Sequence, residues 1–246
     1  MIARRMEGVT GKKEFKMKNF LKIFGIIVII AAIVFSMTGC PEPDDGGPTY
    51  YGDTLTLSGQ VYTYKTASEG AEFTKFTGDL VLSSSPAGVG EVKGGKLTYT
   101  VGVPATLWNS IKNYSLFSSS NYTNVTCDDD TVKYDYLLIS EKNNYYGIKK
   151  EDFSRKTSSS KVSGSEEEVR FVYVNGPVTI TGEGKSATSS YGGVSITYTY
   201  KNIDLSLKAG WNTIYIKKSY SGTTSEYTVT TSLSVSNPDL RWIYGW

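Results

Sequence analysis

From Tyr50 onward the chain alternates apolar and polar positions with a period of two. Leu97-Thr98-Tyr99-Thr100-Val101-Gly102-Val103 places every second residue on one apolar face, as a half-buried strand requires. The same alternation runs through Val132, Tyr134, Tyr136 and Leu138, through Val194, Ile196, Tyr198 and Tyr200, and through Tyr227, Val229, Leu233 and Val235. Less regular strands are predicted over 54–64, 73–82, 145–149, 169–174, 178–182, 203–207 and 211–217, and a last one follows the Asn237-Pro238 turn. Only 104–113 predicts a helix, with Pro104 in its first turn and Leu107, Trp108 and Ile111 at helical spacing. Ten or more short strands and one short helix predict an all-β fold, read as an antiparallel β-sandwich. A closed outer-membrane barrel is the rival, but it wants strands of about ten residues alternating throughout. Several strands here are shorter.

The N-terminal pattern is different. From Ile23 to Cys40 the chain reads IFGIIVIIAAIVFSMTGC without a charge, and Lys16, Lys18 and Lys22 stand before it. A basic stretch, an apolar stretch and small residues at the cut make the tripartite pattern of a secretory signal. Met37-Thr38-Gly39-Cys40 resembles the lipobox of bacterial lipoproteins, with Met37 where leucine is more usual. That resemblance implies cleavage between Gly39 and Cys40, with a diacylglycerol thioether on Cys40 as the membrane anchor. Several acyl chains hold far more firmly than one, at about 0.8 kcal/mol per buried methylene. The alternative is an uncleaved transmembrane helix, for which a run of about 17 residues lies at the lower limit. Met17 also reads as a start, since MKNFLK opens a signal of ordinary length.

The segment Pro41-Glu42-Pro43-Asp44-Asp45-Gly46-Gly47-Pro48 cannot continue a helix and reads as a tether. The expected organisation is therefore a signal over 1–39, a tether over 40–49 and a folded domain over 50–246. The Ser/Thr/Lys/Glu stretch 155–168 is read as a long solvated hairpin loop that could divide the domain into two β-halves.

Charge and composition then narrow the chemistry. The first 39 residues carry seven basic and two acidic side chains, so the remainder holds 19 basic against 22 acidic. A mildly acidic domain has no basic footprint for nucleic acid. The sequence contains no histidine, which removes imidazole acid–base catalysis and most zinc chemistry, whereas a carboxylate-only mechanism survives. No cofactor is expected. With Cys40 assigned to lipidation, Cys127 is an odd thiol, read as a small residue at a strand end rather than a nucleophile.

Candidate binding residues are few. Lys208-Ala209-Gly210 between two alternating runs predicts a tight β-hairpin, after which Trp211 opens the return strand. Trp211 and Trp108 are candidate stacking platforms for a sugar ring; the competing reading has Trp211 packing in the core. Asp128-Asp129-Asp130 lacks the glycine and distal glutamate of a helical-hand calcium loop and reads as a solvated turn, as does Glu166-Glu167-Glu168.

Leu57-Ser58-Gly59-Gln60-Val61-Tyr62, the Gly94-Gly95-Lys96-Leu97-Thr98-Tyr99 strand followed by Pro104, Gly210-Trp211-Asn212, and Pro238-Asp239-Leu240-Arg241-Trp242 resemble a treponemal (spirochaete) surface lipoprotein family of unknown function. The resemblance covers most of the chain after Cys40. It implies an outer-membrane or cell-surface location, lipid-anchored, and no particular chemistry. Three functions are open at this point: a surface binding or adhesion module for a glycan or host protein, a carbohydrate-binding lipoprotein, and a carboxylate-based glycan-cleaving enzyme. Catalysis is not expected.

Overall fold

A computed structural model of the protein describes residues 49–67, 70–107, 109–144, 146–154, 156–158 and 160–245. Residues Asp45–Trp246 make one compact unit. Gly39, Cys40 and Trp108 lie outside the described residues.

The strands are Tyr50–Gly52 (β1), Leu55–Ala67 (β2), Gly70–Lys75 (β3), Leu80–Ser85 (β4), Val89–Lys93 (β5), Lys96–Val101 (β6), Asn109–Ser110 (β7), Tyr122–Cys127 (β8), Lys133–Tyr136 (β9) and Leu138–Glu141 (β10). They continue as Gly147–Phe153 (β11), Lys156–Thr157 (β12), Lys161–Val174 (β13), Val178–Gly184 (β14), Ser186–Tyr191 (β15), Val194–Tyr200 (β16), Ile203–Leu207 (β17), Gly210–Thr223 (β18), Glu226–Ser234 (β19) and Arg241–Tyr244 (β20).

Seven of these close on themselves in the order β2, β6, β5, β4, β10, β11, β20 and back to β2. Each antiparallel step reverses direction, so a ring of seven needs at least one parallel step. It is the β2–β20 pair, Val61↔Trp242 and Tyr62↔Ile243. Strands change partner part-way: β4 pairs β5 through Leu80 and Val81, then β10 through Leu82–Ser85. The alternation of β6 is realised, with Leu97, Tyr99 and Val101 buried and Lys96, Thr98 and Thr100 exposed. Together with Leu55, Leu57, Val61, Val92 and Trp242 they build the first core. Side chains fill this part of the interior, as expected for a barrel of so few strands.

The second feature is a long ribbon in which β13 and β18 pair over fourteen residues, Lys161↔Thr223 to Val174↔Gly210. Strands β19, β16 and β15 extend it on one side, β16 and β19 in parallel. One face of the ribbon sends Val169, Phe171, Tyr173 and Trp211 into the first core. The other sends Val172, Val174, Ile214 and Ile216 into a second core. There they meet Val178, Ile180, Ile203, Leu205 and Leu207 from a separate sheet of order β17-β14-β8. A ribbon covered on both faces explains why Gly210 to Ile214 are buried without alternation.

The domain is thus nearly all β, as expected, but in place of a sandwich it forms a closed seven-stranded barrel carrying a three-stranded sheet. The helix over 104–113 is also corrected. Asn109 and Ser110 pair with β9, and two 3₁₀ turns follow at Ile111–Asn113 and Ser115–Phe117. Ile111, Tyr114 and Phe117 are buried three residues apart, a spacing that three residues per turn place on one face. The stretch 155–168 is not a long loop, because β13 runs through most of it. Nor is there a hairpin at Lys208-Ala209-Gly210. Strand β17 pairs with β14 and β18 with β13, so the chain crosses there between sheets. No helix among the described residues is long and apolar enough to cross a membrane.

Candidate functional site

Strand β11 (GIKKEDF) pairs with the charged middle of β13, so that Glu151 faces Glu168, Asp152 faces Glu167 and Phe153 faces Glu166. The period of two then sorts the charges. Lys149, Glu151, Phe153, Glu166, Glu168 and Arg170 share one face of the sheet, and Ile216 and Lys218 continue it on β18. These side chains line a groove of about 520 Å³, flanked by Tyr64 of β2 and Phe73 of β3 and completed by Asp152 and Glu167. The Tyr64 and Phe73 rings lie 6.4 Å apart. The Arg241 guanidinium stands 4.5 Å over the Phe73 ring.

The carboxylates of the groove have unequal surroundings. Glu168 accepts from Arg170 Nε at 2.9 Å and from its second nitrogen at 3.3 Å. Burial works against the Arg170 charge, but the hydrogen bond and charge of Glu168 raise its pKa overall. Glu166 faces Lys218 across the ribbon, 3.4 Å from its ammonium. Glu151 stands opposite Glu168 on the neighbouring strand. Burial pushes its carboxyl up to about 7; Lys149 opposes this, while Glu168, Glu166 and Asp152 add to it. Near neutral pH Glu151 is therefore a carboxyl able to donate a proton into the groove.

The other face of the same strands is bound up in structure. Glu167 accepts from the Tyr215 hydroxyl at 2.7 Å and from Ser165 at 2.9 Å, and it pairs with Lys217 at 3.0 Å. Lys150 donates to Asn237 Oδ1 at 2.5 Å, and Asn237 donates to the Tyr51 hydroxyl at 2.8 Å. Arg241 reaches Asp152 at 2.6 Å. Part-exposed pairs of this kind contribute little stability. Their effect is to fix the β11–β13 register from the rear of the groove.

Trp211, a sequence candidate for sugar stacking, is fully buried. Its ring meets Tyr173 edge-on at 5.5 Å, and Nε1 donates to the Gly102 carbonyl at 3.0 Å, so neither face is open to a ligand. The platform reading of Trp211 is overturned by this packing. Glu166-Glu167-Glu168, read as a solvated turn, lies mid-strand and alternates between the two faces. Asp128-Asp129-Asp130 does form an exposed turn, where Asp129 accepts from the Thr131 N–H and hydroxyl. Cys127 is the last residue of β8, and burial raises its thiol pKa.

Glu151 carries no signal by composition. What could have found it is the pairing of two charged runs, 149–152 and 166–168, each too long to sit on one exposed face. No group of three or more Cys, Asp or Glu side chains among the described residues is arranged to hold a metal ion. No family model, no curated protein and no solved structure matches the chain.

Proposed function

We propose that this chain is a lipid-anchored surface protein whose barrel domain binds carbohydrate in the β11–β13 groove. The address rests on the signal pattern and the lipobox-like Met37-Thr38-Gly39-Cys40. The observation that carries the ligand class is the lining of the groove: aromatic rings at Tyr64, Phe73 and Phe153 beside carboxyls at Glu151, Glu166 and Glu168. Aromatic faces pack on the C–H side of a sugar ring, and carboxylates accept from its hydroxyls in pairs. The fixed register supplies preorganisation, which reduces the ordering cost of binding. A glycan screen with the domain from Asp45, repeated with Tyr64→Ala and Glu166→Gln, tests this. Binding lost in both variants is the expected result, and binding unchanged in both rejects the groove. Palmitate-analogue labelling compared between the native chain and Cys40→Ala tests the anchor, and label retained in the variant rejects it.

A second reading is carboxylate-based glycan cleavage. It is favoured by the raised pKa of Glu151 opposite the cation-held Glu168. Directly paired strand residues have Cβ atoms about 4.5–5.5 Å apart, compatible with the roughly 5–9.5 Å separation of glycosidase carboxyls. Release of nitrophenol from aryl glycosides that disappears in Glu151→Gln would support cleavage. Binding without turnover is the outcome expected here.

A further inference from the structure

Next to the groove, where β11 changes partner, the sheet is open. Strand β11 pairs with β10 at Gly147 and Ile148 and with β13 from Lys150 onward. Strands β10 and β13 therefore diverge from the point where the Leu137 N–H donates to the Phe171 carbonyl. The triangle between them is a cavity of about 490 Å³. Its inner wall is apolar: Ile139, Ile148, Val169, Phe171 and Trp242, with the last two rings stacked at 5.9 Å. Each of the five retains 4–7 % exposure, whereas Leu55, Val61 and Tyr99 of the same core retain none. Leu138, an apolar residue at the rim, is 51 % exposed. Interiors normally close up to crystal-like density, and apolar voids stay dry and accept apolar guests.

Lys149, Glu168 and Arg170 line both this cavity and the groove. We propose that the two form one site for an amphipathic ligand, a neutral sugar head in the groove joined to an alkyl or acyl chain that enters the window between β10 and β13. The inference rests on the carbohydrate reading of the groove. The Glu168–Arg170 pair at the junction is internally neutralised and offers donors and acceptors without net charge, which suits a polyol head better than an anionic one. A volume near 490 Å³ lies within the roughly 300–1,000 Å³ range of small-molecule sites.

The test is calorimetric titration of the domain from Asp45, the compact unit that holds both cores, with methyl, butyl, hexyl and octyl β-glucosides below their micellar concentrations. Affinity should rise about fourfold per methylene until the window is filled, and then level off. Leu138→Glu, at the exposed rim, and Val169→Trp, which fills the cavity, should flatten this dependence and leave methyl glucoside binding unchanged. The rim variant keeps the test valid if the cavity-filling one fails to fold. Affinity independent of chain length overturns the window and leaves the groove reading intact. Chain-length dependence that persists in Leu138→Glu also overturns it. Alkyl chains that bind equally on a sulfate head, with no effect of Tyr64→Ala, reject the groove reading. Absence of binding by every glucoside rejects both.

Discussion

The indole of Trp242 lies directly against the α-carbon of Gly59. A β-carbon at position 59 would stand 2.7 Å from the ring Cδ1 and 2.8 Å from Nε1, and Nε1 donates to the Ser58 carbonyl at 3.2 Å. Two segments 184 residues apart thus meet where the parallel β2–β20 step closes the barrel. Gly59 also holds a φ of +154°, which few side-chain-bearing residues adopt.

Gly59→Ala should therefore destabilise the domain by about 1–3 kcal/mol, the range for forcing atoms into a packed core. Combined with Trp242→Leu, which removes the ring that blocks the methyl group, the two effects should sum to less than their separate costs. Urea unfolding of the four species forms the cycle. Additive effects would mean that the ring and the glycine are not coupled.

Several of the strands are legible in the sequence, though their closure into a ring is not, and the legible ones share a cause. Strands β6 and β17 alternate because one face meets a core and the other meets water, and both were read close to their observed bounds. Strand β15 (SATSSY) was missed because it is exposed throughout and has no apolar face to alternate. The middle of β13 reads as loop because Glu166 and Glu167 find their cations, Lys218 and Lys217, on β18, a partnership that single-strand periodicity cannot display. The ring itself is a matter of long-range pairing. Nothing local to Val61 announces that Trp242 is its neighbour. The groove is hidden for the same reason: tryptophans are conspicuous by residue type, whereas Glu151 matters only by its position opposite Glu168.

Glu151 makes stability depend on pH. Its folded-state pKa of about 7 lies above the roughly 4.3 of an unfolded glutamate, so between those values the folded chain binds the proton more tightly. Its favourable contribution is complete below about pH 4 and is lost as pH rises through 7. Glu151→Gln, which keeps a neutral side chain at every pH, should unfold at a higher urea concentration than the native chain at pH 8 and show a flatter profile between pH 5 and 8. An identical pH profile for the two proteins would place the titrating group elsewhere.

Asn212 holds the crossing between sheets. It is 1 % exposed; its Nδ2 donates to the Lys208 and Gly210 carbonyls at 2.7 and 2.8 Å, and its Oδ1 accepts from the Lys208 N–H at 3.0 Å. Asn212→Ala would remove all three bonds and leave the buried Gly210 carbonyl without this donor, at about 1–3 kcal/mol for the unsatisfied group. Asn212→Asp should be worse than its shape suggests, because a carboxylate cannot donate to the two carbonyls. Thermal unfolding of both variants ranks them, and an aspartate variant as stable as the native protein would show that the donors are dispensable.

Stability and binding separate at Trp211. Trp211 is enclosed by the first core, edge-on to Tyr173 and bonded to Gly102. Trp211→Ala should cost about 3–5 kcal/mol, as large-to-small changes of buried aromatics do, and Trp211→Phe less, since most of the volume is retained. Trp211 is absent from the groove lining, and the groove walls come from β2, β3, β11, β13 and β18 further along the ribbon. Below the unfolding temperature of each variant, glycan affinity should therefore match that of the native domain. A loss of affinity in Trp211→Phe without loss of cooperative unfolding would return the tryptophan to the binding site and remove the groove from it.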